Sequence, residues 1–456
     1  MALFFGTDGL RGEVDKFLNT KIAFRCGNSL ANVYKDNALT KRHKCKILLG
    51  TDTRGSADML ATAFMSGAIS AGANVDFVGV CPTAGIGYLT TFMGYDYGVV
   101  ISASHNPAKF NGIKIFNKYG NKIDETQIKQ VEKNMLSIKI NKNNNFGKLS
   151  ANENLKANYE AFLINATTKN LSTKTPKNLK VVLDSSNGAA SKIAPKIFRM
   201  IGADVIETYS KPNGKNINKN CGSLNIDVLK ANVLRHGADV GFAFDGDSDR
   251  VIAVAENGEV IDGDQIVYIL ACFYKENEML NNNGIVCTTH TNFGIEKALQ
   301  EKGICVKRTQ VGDKFVSEEL DASGFVVGGE QSGHIFMKDK IQTGDGILTA
   351  LMLSVIMLQK DQKISTLMCD KIIPQINKNI EVKNKEKIIE NQNLKHELEK
   401  LKDEFNGGRL FVRASGTENV VRIMAENENE EKLNFVADAL EKMIREIDLK
   451  GGLCVE

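Results

Sequence analysis

Three carboxylates at alternate positions, Asp245, Asp247 and Asp249, follow directly on the apolar run 240–244, in a stretch Asp-Gly-Asp-Ser-Asp-Arg that Arg250 closes. If the run is a strand, the carboxylates leave its end on a loop, where they can turn inward around one hard divalent cation. Oxygen donors of this kind suit Mg²⁺, which completes its shell with water and phosphate oxygens. Without something positive among them, such neighbours repel one another. A helix–loop–helix calcium loop does not fit. Its sixth position needs Gly and holds Arg250 here, and Glu256, at the twelfth, follows residues 251–255, which read as a strand. A solvated acidic turn without metal is the plainer alternative. By itself the triad points to divalent metal and phosphate chemistry and leaves the reaction open.

Other groups could join it. The run Ser102-Ala103-Ser104-His105-Asn106-Pro107 follows an expected strand at 98–100. A serine at the C-terminal end of a parallel strand can act as nucleophile or phosphate carrier once a metal or base activates it. An ordinary Ser/Asn/Pro turn is the competing reading. A serine hydrolase built on Ser104 and His105 is a poor fit, because neighbours on an extended chain point apart and G-x-S-x-G is absent there. Two segments read as anion loops, Gly6-Thr7-Asp8-Gly9-Leu10-Arg11-Gly12 and Arg413-Ala414-Ser415-Gly416-Thr417-Glu418. Amides freed by glycine, hydroxyls and a guanidinium make a phosphate cradle, and Arg413, Ser415, Thr417 and Arg422 could converge on one dianion. Either segment alone could instead be a glycine turn with a solvated arginine. In Gly328-Gly329-Glu330-Gln331-Ser332-Gly333-His334, after an expected strand at 325–327, Glu330 and Ser332 suit sugar hydroxyls. His334 suits proton transfer, against a plain structural role. Lys114, on the expected strand 112–116, reads as a surface lysine unless it faces the cleft.

The elements that must position these residues recur along the chain. A strand at 46–50, a polar turn at 51–55, a helix over 56–71 capped by Ser56, and Gly72 opening the next strand form one unit. It repeats from 179 to 205 and again from 285 to 306. Such units are βαβ crossovers of a mainly parallel sheet, whose strand C-terminal ends bind ligands. Beyond an expected linker at 371–375 the pattern changes. A strand at 377–382, a charged helix at 385–405, strands at 409–412 and 420–425, and an amphipathic helix from 430 to about 447 predict a small α+β domain. At 456 residues the chain should hold three or four domains. The expected divisions are 1–150, 151–258, 259–370 and 371–456. Apolar content of 42%, charged content of 25% and a net charge of +3 suit a soluble globular protein and argue against a dedicated nucleic-acid binder. Nine cysteines without CxxC spacing predict no disulfide framework and a cytoplasmic home. No signal sequence is read at the start. The longest apolar run, 347–358, is too short for a bilayer and reads as a buried helix.

Ser-Ala-Ser-His-Asn-Pro, Asp-Gly-Asp-Ser-Asp-Arg, Gly-Glu-Gln-Ser-Gly-His and Arg-Ala-Ser-Gly-Thr-Glu, in this order, resemble the α-D-phosphohexomutase superfamily over essentially the whole chain. The opening Gly-Thr-Asp-Gly-Leu-Arg-Gly, Gln331, Val311-Gly312-Asp313 and Thr343-Gly344-Asp345-Gly346 resemble its bacterial phosphoglucosamine mutase branch. The resemblance implies three related α/β domains with mixed, mainly parallel sheets plus a C-terminal α+β domain around a central cleft. It implies conversion of glucosamine 6-phosphate to glucosamine 1-phosphate through a phosphoserine and a hexosamine 1,6-bisphosphate, feeding UDP-N-acetylglucosamine. By position Ser104 is the phosphoserine, and Asp245, Asp247 and Asp249 hold one Mg²⁺ with its phosphate. Glu330, Gln331 and Ser332 lie at the sugar, while Arg413, Ser415, Gly416, Thr417 and Arg422 hold the other phosphate. Lys114 and His334 match proposed acid–base positions, and Arg11 and Arg250 steady phosphate in flight. The partner is a small phosphosugar, not nucleic acid or membrane; a homodimer, and a protein kinase for the first phosphorylation, are left open. Ala414 and Asn419 depart from the pattern, which bears on loop rigidity, and Lys109 alters the charge beside the serine loop. The rivals are a phosphomannomutase or phosphoglucomutase of the same superfamily, a Mg²⁺ phosphatase with Asp245 as nucleophile, and a non-catalytic phosphosugar sensor.

Overall fold

The buried apolar runs of this chain become the strands of four sheets in the computed structural model, which describes residues 4–6, 9–36, 43–138, 145–168, 179–405, 408–415 and 419–451. The first sheet contains β1 (Phe5–Gly6), β2 (Gly9–Glu13), β3 (Lys46–Thr51), β4 (Asn74–Val80), β5 (Tyr97–Ile101), β6 (Phe110–Asn117) and β7 (Leu149–Ala151), in the order β1-β2-β6-β5-β3-β4-β7. Its centre, β5-β3-β4, is parallel, and β6 returns antiparallel to β5. The turn after β5 therefore opens at a strand C-terminal end, and Lys114 on β6 lies in register with Val100 on β5. Helices Thr20–Asp36 and Ala57–Ser70 pack on each other through glycines. A Cβ on Gly27 would lie 2.1 Å from the Phe64 carbonyl oxygen, and one on Gly67 2.0 Å from that of Phe24. Only glycine permits that approach.

The second sheet contains β8 (Lys180–Asp184), β9 (Asp204–Thr208), β10 (Val240–Phe244), β11 (Val251–Ala255) and β12 (Val260–Ile261), ordered β12-β11-β10-β8-β9. β10 and β11 are buried throughout and pair antiparallel from Val240↔Ala255 to Phe244↔Val251, so residues 245–250 form the loop that joins them. The third sheet contains β13 (Gly284–Thr288), β14 (Cys305–Thr309), β15 (Val327–Gly329) and β16 (Ile335–Met337), ordered β14-β13-β15-β16. The apolar run near residue 350 is the helix Gly346–Lys360, buried from Gly346 through Met357 as expected. Asp345 caps it through the Leu348 amide.

Two compact units emerge, one of Met1–Thr289 with Gly303–Met368 and the other of His290–Lys302 with Cys369–Glu456. The second holds an antiparallel sheet of β17 (Gln375–Glu381), β18 (Arg409–Ala414) and β19 (Val420–Glu426), with β19 central. Its core gathers Ile380, Leu401, Ile423, Leu433, Leu440 and Ile444. The sequence-based division at 370 did not foresee that His290–Lys302 joins this unit. That segment is tied to it by Asn292, whose side chain bonds the Ile373 backbone at both ends.

Two local expectations are corrected. The charged helix over 385–405 is two helices, Lys385–Ile389 and Gln392–Glu404, because Asn391 turns its carboxamide back onto the amides of Asn393 and Leu394 and starts a new helix. Ser56 does not cap the helix after it; its backbone is helical and its hydroxyl accepts from Asn111 Nδ2 instead. The eight cysteines among the described residues are free, and no helix there is long and apolar enough to cross a membrane.

Candidate active site

β10 delivers Asp245, Asp247 and Asp249 into one place, with a carboxylate oxygen of each within 4.8 Å of the others. All three are buried. Burial pushes the Asp245 carboxyl well above the usual carboxylate range, and the neighbouring Asp249 and Asp247 push it further; Arg250 and the Ser104 hydroxyl oppose them. Lys114 supplies a positive charge, its Nζ 2.7 Å from Asp247 Oδ2 and 2.8 Å from Asp249 Oδ2. Lys114 is therefore not a surface lysine: it is 2% exposed, because the antiparallel return of β6 aims it at the triad. Asp247 Oδ1 is buried and has no hydrogen-bond partner among the described residues. Clustered carboxylate oxygens, one of them bare, are the donor set a hard divalent cation takes.

The serine turn after β5 meets this loop. Ser104 Oγ donates to Asp245 Oδ2 at 2.6 Å across 141 residues of sequence. Ser104 is itself 1% exposed and adopts φ 51°, a left-handed conformation unusual for a residue with a Cβ. That conformation corrects the expectation for His105: the chain is not extended there, and His105 Nδ1 lies 3.3 Å from Ser104 Oγ. On the other side, Gly246 allows the two loops to touch, since a Cβ there would sit 2.6 Å from the Ser104 carbonyl oxygen. Arg250 gives its amide to Asp245 Oδ1 and pairs by a backbone bridge with His334. Arg11 sits on β2 opposite Gly112 of β6.

Between β15 and β16 lies the loop 330–334, in which the sequence suggested sugar contacts. Glu330 is buried and accepts the Gly312 amide on Oε1; burial is the main force raising its carboxyl, and the nearby His334 and Arg250 oppose it. His334 stacks on Phe336, with Nδ1 4.0 Å from Asp249 Oδ1 and Nε2 3.9 Å from Asp313 Oδ2. It thus stands between the acidic loop and a carboxylate that the sequence motif alone had not assigned a role. Ser332 is exposed, whereas the Gln331 side chain bonds the carboxylate of Asp262, the cap of the helix Gly263–Glu276. In the second unit, Arg413 and Arg422 are cross-strand neighbours on β18 and β19, and Arg422 Nη2 reaches Ser415 Oγ at 3.4 Å. Lys385 Nζ holds the Ser415 carbonyl. Gly416 and Thr417, and Thr7 and Asp8 of the opening loop, lie outside the described residues.

Sequence reading passed over several residues that touch this site. Thr83 gives its hydroxyl to Asp247 Oδ2 at 2.6 Å and its amide to the Asp247 carbonyl. Arg54 and Asn218 bond the serine turn. Asp52 and Arg54 stood in a polar turn at a strand C-terminal end, a position that marks ligand-binding loops. Thr83 and Asn218 carry no such mark in the sequence.

Phosphoglucomutase/phosphomannomutase domain profiles match four stretches in order: α/β/α domain I at 2–142, domain II at 157–258, domain III at 262–374 and the C-terminal domain at 378–443. A phosphoglucosamine mutase of Caldanaerobacter subterraneus is 41% identical over 451 residues, covering 97% of this chain and 99% of that protein. One from Clostridium novyi is 41% identical over 454 residues, covering 98% and 99%. Among solved structures, a phosphoglucomutase/phosphomannomutase family protein from Burkholderia thailandensis has the same fold, with TM-score 0.79 at 22% identity over 97% of each chain. So does the Aspergillus fumigatus N-acetylphosphoglucosamine mutase solved with GlcNAc-6P and magnesium, with TM-score 0.69 at 16% identity over 98% and 96%. The four matched domains and the near-full-length relatives place this chain in the phosphoglucomutase/phosphomannomutase family, as a mutase of phosphosugars.

Proposed function

We propose that the protein interconverts glucosamine 6-phosphate and glucosamine 1-phosphate, with Ser104 as phosphate carrier and hexosamine 1,6-bisphosphate as the intermediate. The observation that carries the chemistry is the Ser104 hydroxyl, held at 2.6 Å on Asp245 beside two more carboxylates and the Lys114 ammonium. The choice of amino sugar rests on the near-full-length phosphoglucosamine mutase relatives.

Asp245, Asp247 and Asp249 would hold Mg²⁺, which supplies charge neutralisation to the phosphoryl group as it moves. Ser104 gives up its phosphoryl group as the Ser104 Oγ–P bond breaks and a bond from phosphorus to the free sugar hydroxyl forms. The sugar hydroxyl gives its proton to a base, and the departing Ser104 Oγ takes one from an acid. Lys114 and His334 are the candidates for these two roles, Lys114 suiting the acid in the ammonium form that pairs with Asp247 and Asp249. After the bisphosphate turns over, its opposite phosphoryl group returns to Ser104. Arg11 and Arg250 steady the anion, Glu330, Gln331 and Ser332 contact the sugar, and Arg413, Ser415, Gly416, Thr417 and Arg422 hold the phosphate that does not react. Ser104 is loaded initially by the bisphosphate or by a protein kinase.

An aspartyl phosphatase fits less well, because Asp245 has one oxygen on the Arg250 amide and the other on Ser104 Oγ. The deciding assay compares kcat/KM for glucosamine, glucose and mannose 6-phosphates side by side. Hydroxyl and amine at C2 both form hydrogen bonds, so some glucose 6-phosphate turnover is expected. A higher kcat/KM for glucose or mannose 6-phosphate would overturn the amino-sugar assignment and leave the mutase chemistry standing.

A further inference from the structure

The carbonyl oxygen of Ser104 is gripped from two sides. Arg54 Nη2 donates to it at 2.8 Å, and Asn218 Nδ2, from the loop after β9, donates to it at 2.8 Å. The same two side chains also take the Asn106 carbonyl, at 2.8 and 3.1 Å. Arg54 Nη1 holds the Pro107 and Phe110 carbonyls at 2.6 and 3.0 Å, so one guanidinium ties four carbonyls of the serine turn. Asp52 orients that guanidinium through Arg54 Nε at 2.8 Å and accepts the Ser102 hydroxyl at 2.7 Å. Ser102 Oγ in turn accepts the Ser104 amide at 2.9 Å. Both backbone polar groups of Ser104 are thus engaged by side chains of one connected network.

We propose that Arg54 and Asn218 are positioning residues for phosphoryl transfer. By clamping the Ser104 carbonyl they hold its left-handed backbone and keep Oγ on Asp245. This rests on the reading of Ser104 as the carrier. A non-glycine residue at φ 51° persists only when its surroundings over-determine it, and the two donors do so here. Asn218 comes from the part of the chain that also carries β10, so it fastens the serine turn to the segment presenting the metal loop. Phosphoryl transfer depends on in-line geometry, and a displacement near 1 Å costs about 10²-fold in rate.

Asn218 is half-buried at φ 57°, which makes it a tractable position. Asn218→Gly keeps the left-handed backbone and removes the donor, and Asn218→Asp keeps the shape but sets an oxygen against the two carbonyls. Arg54→Lys keeps the charge beside Asp52 but cannot reach four carbonyls. Each is compared with wild type in steady-state turnover of glucosamine 6-phosphate, in labelling of Ser104 by hexose 1,6-bisphosphate, and in single-turnover transfer from labelled enzyme. Both Asn218 variants should lose kcat by about 10²-fold, with KM changed by less than about threefold and Ser104 still labelled. Wild-type kcat in Asn218→Gly, or a rise confined to KM, would overturn the positioning role. If Arg54→Lys fails to fold, the Asn218 pair decides. Absence of label from wild-type Ser104 would instead overturn the carrier reading on which the proposal rests.

Discussion

At the scale of single residues, Ser104 and Asp247 divide the proposed chemistry. Ser104 Oγ carries the phosphoryl group in the proposed reaction, and in the fold its hydroxyl meets only Asp245 and the neighbouring His105 among the described residues. Ser104→Ala should therefore fold normally and lose turnover by about 10³-fold or more, with phosphopeptide mapping finding no label elsewhere in the site. Label on Ser102 or Asp245 would sink that assignment. Asp247 presents Oδ2 to Lys114 and Thr83, and its Oδ1 has no hydrogen-bond partner among the described residues. Asp247→Asn replaces a charged donor by a neutral one, so the Mg²⁺ concentration for half-maximal activity should rise roughly 10- to 100-fold as turnover falls. Full activity at low Mg²⁺ would reduce the triad to an acidic turn.

Among the elements, the buried helix Gly346–Lys360 depends on its cap. Asp345 Oδ1 accepts the Leu348 amide, and Oδ2 accepts the Tyr159 hydroxyl at 2.7 Å from the helix Lys156–Thr168. Burial pushes this carboxyl up to about 6 despite both bonds. A carboxyl raised above its unfolded value binds its proton more tightly in the folded state. Its contribution is full below about pH 4 and is lost as pH rises through about 6. Asp345→Asn removes the titration. The stability of wild type relative to this variant should thus fall between pH 4 and 7 by on the order of 3 kcal/mol, read from urea unfolding at each pH. A pH-independent difference would show that Asp345 keeps an ordinary carboxylate pKa. Asp345→Ala loses the cap and strands the Tyr159 hydroxyl, costing roughly 2–4 kcal/mol.

At the scale of the whole molecule, two units with cores of their own imply unfolding that is not two-state. Leu440 is fully buried in the core of the second unit. Leu440→Ala should cost about 2–5 kcal/mol there and lower one calorimetric transition while leaving the other in place; a single transition that moves as a whole would show one cooperative body. The strand β10, the buried helix near residue 350, the acidic triad and the serine turn after β5 were all legible in the sequence. Each is written in a short apolar run or a motif of a few neighbouring residues, and local periodicity and chemistry suffice to read it. The break at Asn391 escaped because one carboxamide outweighed a long helical pattern. Lys114 was named for acid–base work by resemblance, but its contact with Asp247 and Asp249 escaped because strand pairing alone aims it there. Thr83, Arg54 and Asn218 escaped because each meets its partner 50 to 164 residues away. Sequence by itself determined which groups are equipped for chemistry and which short elements carry them. Tertiary structure decided which distant donors hold them, since a hydrogen bond between remote segments is specified only once packing has brought both ends together.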